Sequence, residues 1–388
     1  MFFPTRTKIP ANLCGLPLSV EACPFLSQDQ QVSACGTASL WMASTPLAPK
    51  VRGMAEYTTA DITLLAKALD RPFTPALGKQ GLTSDEIQRA LAAMQYDPVT
   101  FDDLSADDLK QSCYMHIDSG LPTLLLLEHP RRPLSRGPGV FEGGHVVTVI
   151  GYTQDLTSLQ PTPRASPAVY ASTAFAACLV IHDDLRGMYL PATIEPVTPA
   201  EQKRGRRAVL KTMLPSGRHV ESYCENLIVP FPPRVMMPVY DVFDQVEHEI
   251  KQFQSRGLLL KQDIVLRPFL IRSNQYKEGL SQRHGMPRTL QTLYRGLPMP
   301  RYIWVCEYGY TPEWQRASAA HLPIHGEFLV DATSAITPLN TAGIAVHLPG
   351  VVTIREGMGT AQEELSPPHR LLAPLSGYDA CPLELSRP

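Results

Sequence analysis

The chain has 388 residues, with 35 Lys+Arg against 37 Asp+Glu and a formal net charge of −2. Hydrophobic residues make up 44% and charged residues 19%, so the chain can bury a core and is not disordered, and its near neutrality excludes a general nucleic-acid binder. At roughly 100–200 residues per domain, the length fits two domains or one elaborated domain.

Residues 1–33 read as irregular, with prolines at 4, 10, 17 and 24. Helical spacing follows at 33–43, with Ser33 as N-cap and Pro46 just beyond the end. Further helices are predicted at 59–69, at 84–94 behind Thr83 or Ser84 as cap, and at 105–112. The period then changes. Residues 122–127, 145–152 and 177–182 are short apolar or β-branched runs suited to buried strands. Residues 185–235 read as extended segments around the basic run Lys203-Arg204-Gly205-Arg206-Arg207, taken as a solvated turn. After Pro230, Pro232 and Pro233, an amphipathic helix is predicted at 239–253, then strands at 264–271, 302–308 and 327–331. The tail from Leu365 is proline-rich and is expected to wrap the surface. The 37 prolines, roughly twice average usage, predict many stiff connections. Helices first and strands second predict an α+β arrangement.

The eight cysteines, at 14, 23, 35, 113, 178, 224, 306 and 381, include no CxxC pair, so the spacing offers neither a zinc ribbon nor a thioredoxin motif. The N-terminus lacks the basic-then-apolar pattern of a signal peptide, and no apolar run is long enough to span a bilayer. The expectation is a soluble cytoplasmic protein with reduced thiols and no membrane partner.

Three short segments carry chemistry. Cys35 opens the predicted helix at 33–43, where the positive end of the helix dipole favours a thiolate. Gln28 or Gln30 lies upstream, able to aim an amide N–H at a developing oxyanion. Gly143-Gly144-His145 leads into a valine-rich strand, and a histidine at a strand mouth is suited to take a proton from a thiol. Asp183 or Asp184 ends the next strand and is suited to accept the histidine's other N–H. Adjacent strand residues point to opposite faces, so only one of the two carboxylates can do so, and Asp183 is our choice.

Cysteine, histidine and aspartate, each at the edge of a different predicted element, resemble the papain-like cysteine peptidases. The likeness is nearest to their compact bacterial branch, the bacteriocin-processing peptidase domains of exporters. The residues that carry it are Gln28 or Gln30, Cys35-Gly36, Gly144-His145 through Gly151-Tyr152, and Asp183 with Gly187, over about residues 20–190. The family's glutamine usually precedes its cysteine by about six residues; Gln28 precedes Cys35 by seven and Gln30 by five. The family's proline after the aspartate is Asp184 here.

The resemblance implies a papain-like fold, with N-terminal helices packed on an antiparallel sheet. It implies a peptidase domain over 1–235 and leaves 236–388 as an α+β extension packed on that core. It also implies a cysteine peptidase or isopeptidase acting on a protein or peptide substrate without a cofactor. Cys35, His145 and Asp183 would be catalytic and Gln28 would be the oxyanion donor. The same triad would serve a transglutaminase or deamidase, and a non-catalytic binding module is the alternative of another class. Outside this constellation, Glu307 and Asp331 read as strand-end carboxylates. His321 and His325 have metal-like spacing, but Pro323 between them argues against a helix, so no metal site is expected. Gly137, Gly139, Gly143 and Gly144 lack the Lys-Ser/Thr of a phosphate loop.

Overall fold

A computed structural model describes residues 1–28, 35–50, 55–67, 81–128, 144–156, 166–282, 288–316, 323–335, 342–348, 351–356 and 360–364. Two units emerge, one of residues 1–153 with 177–233 and the other of residues 154–176 with 234–388. Residues 154–176, expected in the first domain, group with the second unit.

The first unit begins with a hairpin, β1 (Thr7–Leu13) and β2 (Leu16–Ala22), where an irregular segment was expected. Its tight turn places Cys14 and Gly15 at positive φ, 51° and 88°. Three helices follow: α1 (Cys35–Ser44), α2 (Thr59–Leu65) and α3 (Ser84–Ala93). Thr58 and Thr83 close capping boxes with Asp61 and Glu86, which fixes the starts of α2 and α3. β3 (Asp97–Asp102) and α4 (Ala106–Asp118, capped by Ser105) precede the main strands. These are β4 (Thr123–Glu128) and β5 (Gly144–Gln154), then β7 (Ala176–Asp183) and β8 (Gly187–Pro196). A short α5 (Pro199–Gln202), β9 (Ala208–Met213) and β10 (His219–Phe231) complete the unit.

The predicted strands therefore exist, but the expected papain-like arrangement of N-terminal helices on an antiparallel sheet does not hold. Among the described residues the fold is mixed α/β, about 31% helix and 39% strand, and sheets dominate it, including a closed barrel of 6 strands. The sheet order is β3-β10-β4-β5-β7-β8-β9, and β9 also pairs with β10, which closes the ring. The physical cause is the length of β10. One edge of it pairs with β4, while the other pairs first with β9, through His219–Cys224, and then with β3, through Asn226–Phe231. A register shift against β4 between Cys224 and Asn226 leaves Glu225 as the bulged residue where the partner changes. No pattern within one strand announces that both its edges will be occupied.

The second unit contains a seven-stranded sheet in the order β16-β15-β14-β13-β12-β11-β6. Its strands are β6 (Val169–Ala171), β11 (Ile264–Arg272), β12 (Tyr302–Tyr310), β13 (Gly326–Asp331), β14 (Gly343–Leu348), β15 (Val351–Glu356) and β16 (Thr360–Glu364). All neighbours are antiparallel except β6 with β11. The helices are α6 (Val239–Ser255), α7 (Ser273–Gly279), α8 (Arg288–Gly296) and α9 (Thr311–Arg316). A core of Phe269, Ile303, Val305 and Leu329 packs with Tyr276 of α7, Tyr294 of α8 and Trp314 of α9. Among the described residues, no helix is long and apolar enough to cross a membrane. The described cysteines are all unbridged.

Candidate functional site

Cys35 is the first residue of α1, so its backbone N–H is among the helix donors that no intrahelical carbonyl satisfies. The helix is held to β5 by two reciprocal bonds. The Ser39 hydroxyl donates to the Val146 carbonyl at 2.9 Å, and the Thr148 hydroxyl donates to the Ser39 carbonyl at 3.2 Å. Ser39 is one turn beyond Cys35, and Val146 follows His145, so these bonds set cysteine against histidine. Gly36 lets the chain approach closely, since a Cβ there would lie 2.9 Å from the Leu82 Cβ.

Asp183 and Cys35 both act on the His145 side chain, and each favours its protonated form. Its Nε2 lies 3.0 Å from Asp183 Oδ1, which leaves Nδ1 as the ring nitrogen for the thiol. Burial disfavours the charged ring, but the hydrogen bonds and charges of Asp183 and Cys35 outweigh it and raise His145 to about 9. Asp183 is fully buried and well supplied with donors. Its Oδ1 accepts the backbone N–H groups of Leu185, at 3.0 Å, and Arg186, at 3.1 Å, and its Oδ2 accepts the Arg186 guanidinium at 2.6 Å. Burial opposes its ionisation, yet His145 and Arg186 hold the carboxyl well below the usual range. Gly187, at φ 136°, opens β8 opposite Asp183 and permits the tight turn that brings Arg186 back onto it.

Asp184 differs sharply from its neighbour. Its side chain is fully buried, and among the described residues neither carboxyl oxygen has a hydrogen-bond partner. Its Oδ1 lies 3.8 Å from His145 Nε2. Burial is the main cause that pushes it up to about 6, with repulsion from Asp183 adding to it and the charge of His145 opposing.

The backbone N–H of Gln28 donates to the Asp184 carbonyl at 3.3 Å, which ties the segment before Cys35 to the end of β7. His182 anchors the same segment by donating Nδ1–H to the Pro24 carbonyl at 3.0 Å; burial lowers this histidine to about 4 and keeps it neutral. Gln30, Ser33, Gly137, Gly139, Gly143, His321 and the tail from Leu365 lie outside the described residues. The structure thus brings Cys35, His145 and Asp183 together and puts Gln28 beside Asp184. Sequence reading missed Arg186 and the Ser39–Thr148 clasp. Arg186 stands three residues after Asp183, a spacing that was legible. The clasp depends on α1 lying against β5 and left no local signal.

The other candidates are accounted for otherwise. Glu307 is buried in register between Arg267 and Glu327, with the Arg267 guanidinium 3.4 Å away. Asp331 Oδ1 accepts the Thr333 N–H at 2.7 Å. His325 Nε2 meets Glu313 at 2.6 Å. In the basic run at 203–207, Lys203, Arg204 and Gly205 form an exposed turn, and the two arginines that follow are paired. Arg206 bonds Glu128 and Glu201 and stacks 3.9 Å over Tyr223, and Arg207 bonds Asp103. These arginines border a cavity of about 620 Å³ that contains neither Cys35 nor His145. In comparisons with known proteins, no protein-family model and no curated protein sequence matches the chain.

Proposed function

We propose that this protein is a cysteine-dependent amide hydrolase, a peptidase or isopeptidase acting on a protein or peptide substrate. One observation carries the reading: a single buried imidazole has a donor-saturated carboxylate 3.0 Å from one nitrogen, and Cys35 and that carboxylate both favour its protonated form. The motif likeness to papain-like peptidases supports the chemistry and not the fold.

His145 takes the Cys35 proton, and the thiolate attacks the amide carbonyl carbon. The carbonyl electron pair moves to oxygen, where the Cys35 backbone N–H and the Gln28 side chain receive the oxyanion. The pair returns to re-form the carbonyl, the C–N bond breaks, and His145 gives its proton to the leaving amine. A thioester remains. Water then attacks it with His145 as base, the acid is released, and the thiol regains its proton. Asp183 holds the ring tautomer and stabilises the imidazolium, and Arg186 with two backbone N–H groups holds Asp183.

The test is labelling of the full-length protein with iodoacetamide near neutral pH, followed by mass-spectrometric mapping. The reading expects Cys35 to react far faster than the other cysteines and to lose that advantage in His145→Ala. Uniformly slow labelling of every cysteine would reject it.

A further inference from the structure

We propose that His145, Asp183 and Asp184 form a binding site for a zinc-class divalent cation that holds the proposed hydrolase inactive. Their ligand atoms all lie within 4.8 Å of one another, and all three residues are buried. The Asp184 carboxyl is the independent sign of a missing ligand. It faces His145 Nε2, is shut off from solvent, and among the described residues has no hydrogen-bond partner on either oxygen. A carboxylate so placed is expensive unless something satisfies it.

The spacing suits an ion. A tetrahedral centre with bonds of about 2.0–2.1 Å separates its ligands by about 3.3–3.4 Å. The separations from Nε2, 3.0 Å to Asp183 and 3.8 Å to Asp184, bracket that value. Two carboxylates match the charge of a divalent ion, and the Arg186 guanidinium on Asp183 Oδ2 adds one positive charge to the cluster. The imidazole nitrogen selects zinc and its neighbours over magnesium or calcium, which prefer all-oxygen sites.

The consequence for the dyad follows from the tautomer. The ion binds the imidazolium–thiolate pair: the Nε2 proton goes to solvent, the freed lone pair goes to the ion, and Asp183 exchanges its hydrogen bond to the ring for a bond to the ion. The ring, now neutral, keeps on Nδ1 the proton it took from Cys35. Giving that proton to a leaving amine would leave an imidazolate, so the ring is a poor acid and the amine is not released.

The effect on activity rests on the reading of Cys35 and His145 as a catalytic pair; ion binding does not. The experiment is zinc K-edge X-ray absorption on chelator-treated full-length protein loaded with one equivalent of zinc. It is run in a Cys14→Ser background, because Cys14 is exposed. The expected first shell is nitrogen and oxygen at about 2.0–2.1 Å with no sulfur at about 2.3 Å. Titration against a chromophoric chelator is expected to show binding weakened about tenfold or more by Asp184→Asn. A sulfur shell would place the ion on a cysteine and overturn the site, and so would binding unchanged by Asp184→Asn. The absorption measurement needs no change at Asp184, so it decides even where that variant misfolds. An N/O shell in a protein whose zinc-free form shows no reactive Cys35 would retain the ion site and reject the hydrolase.

Discussion

Four donors converge on the Asp183 carboxylate, while the adjacent Asp184 has none, although the two residues are chemically identical. The pair differs because β7 ends there: Asp183 faces the ring, and the turn to Gly187 folds Arg186 and two backbone N–H groups onto it. Cys35→Ala is expected to abolish hydrolysis, and Asp183→Asn to lower kcat by less, since orientation is only part of the chemistry. A larger loss in Asp184→Asn than in Asp183→Asn would reverse the assignment. The pH profile supplies a second check. The ring must carry its proton to release the amine, so activity is expected to fall as pH rises through about 9. Asp184, ionised above about 6 and 3.8 Å from Nε2, helps hold that proton. Asp184→Asn is therefore expected to move the alkaline limb of kcat/KM down by about one pH unit. The same raised value stabilises the fold. That contribution is complete below about pH 6.5, the unfolded value, and is lost as pH rises through about 9.

Helix α1 owes its position to side chains that local pattern does not reveal. Ser39 and Thr148 exchange hydroxyl-to-carbonyl bonds, each worth about 1 kcal/mol. Ser39→Ala and Thr148→Val are expected to lower stability by about that amount each and to lower kcat as well. A double-mutant cycle in urea denaturation measures how far the two depend on each other. In α4, His116 is fully buried, bonds the Ser112 carbonyl through Nδ1, and is lowered to about 4 by burial. A base with a depressed value in the fold takes up its proton more readily when unfolded, so stability falls as pH drops from about 6.5 through 4. His116→Leu is expected to flatten that slope in pH-dependent melts. The β1–β2 hairpin shows the opposite extreme. Strand alternation gathers Ile9, Leu13, Leu16, Leu18 and Val20 on one face, yet Leu13, Leu16, Leu18 and Val20 are 60%, 63%, 50% and 52% exposed. Leu16→Ser with Leu18→Ser is expected to leave the melting temperature nearly unchanged and to reduce binding of a hydrophobic dye. A large drop in Tm would mean these side chains support the fold.

The two units do not divide the chain at a single point. Between β5 and β7 in the chain, Val169–Ala171 form β6 at the edge of the second sheet and Phe175 joins that unit's core. A fragment ending at 235 would therefore carry an apolar segment without its partners, and strong dye binding is expected of it. The Thr153 hydroxyl lies 3.0 Å from the Cys178 sulfur, so a short Gly/Ser loop can join β5 to β7. Replacing 154–176 in that fragment by such a loop is expected to lower dye binding, and equal binding by both fragments would refute the exchange. Much of this molecule was nonetheless local in origin. The runs at 122–127, 145–152 and 264–271 became β4, β5 and β11, because β-branched and apolar runs pack well on a pleated surface whatever their neighbours. The helix start read behind Thr83 or Ser84 lies at Thr83, since a capping hydroxyl reaches only its own first turn, and Ser105, read as the first residue of a helix, caps α4 instead. The order Gln28, Cys35, His145, Asp183 was equally open to reading. What waited for the tertiary structure was everything that needs two distant segments at once. Barrel closure required both edges of β10, the choice of Asp183 required the direction in which β7 ends, and the unpartnered state of the Asp184 carboxyl required knowing which described residues pack around it. Each is a pairing across tens of residues, and no periodicity within a strand or helix encodes which partner the folded chain brings to it.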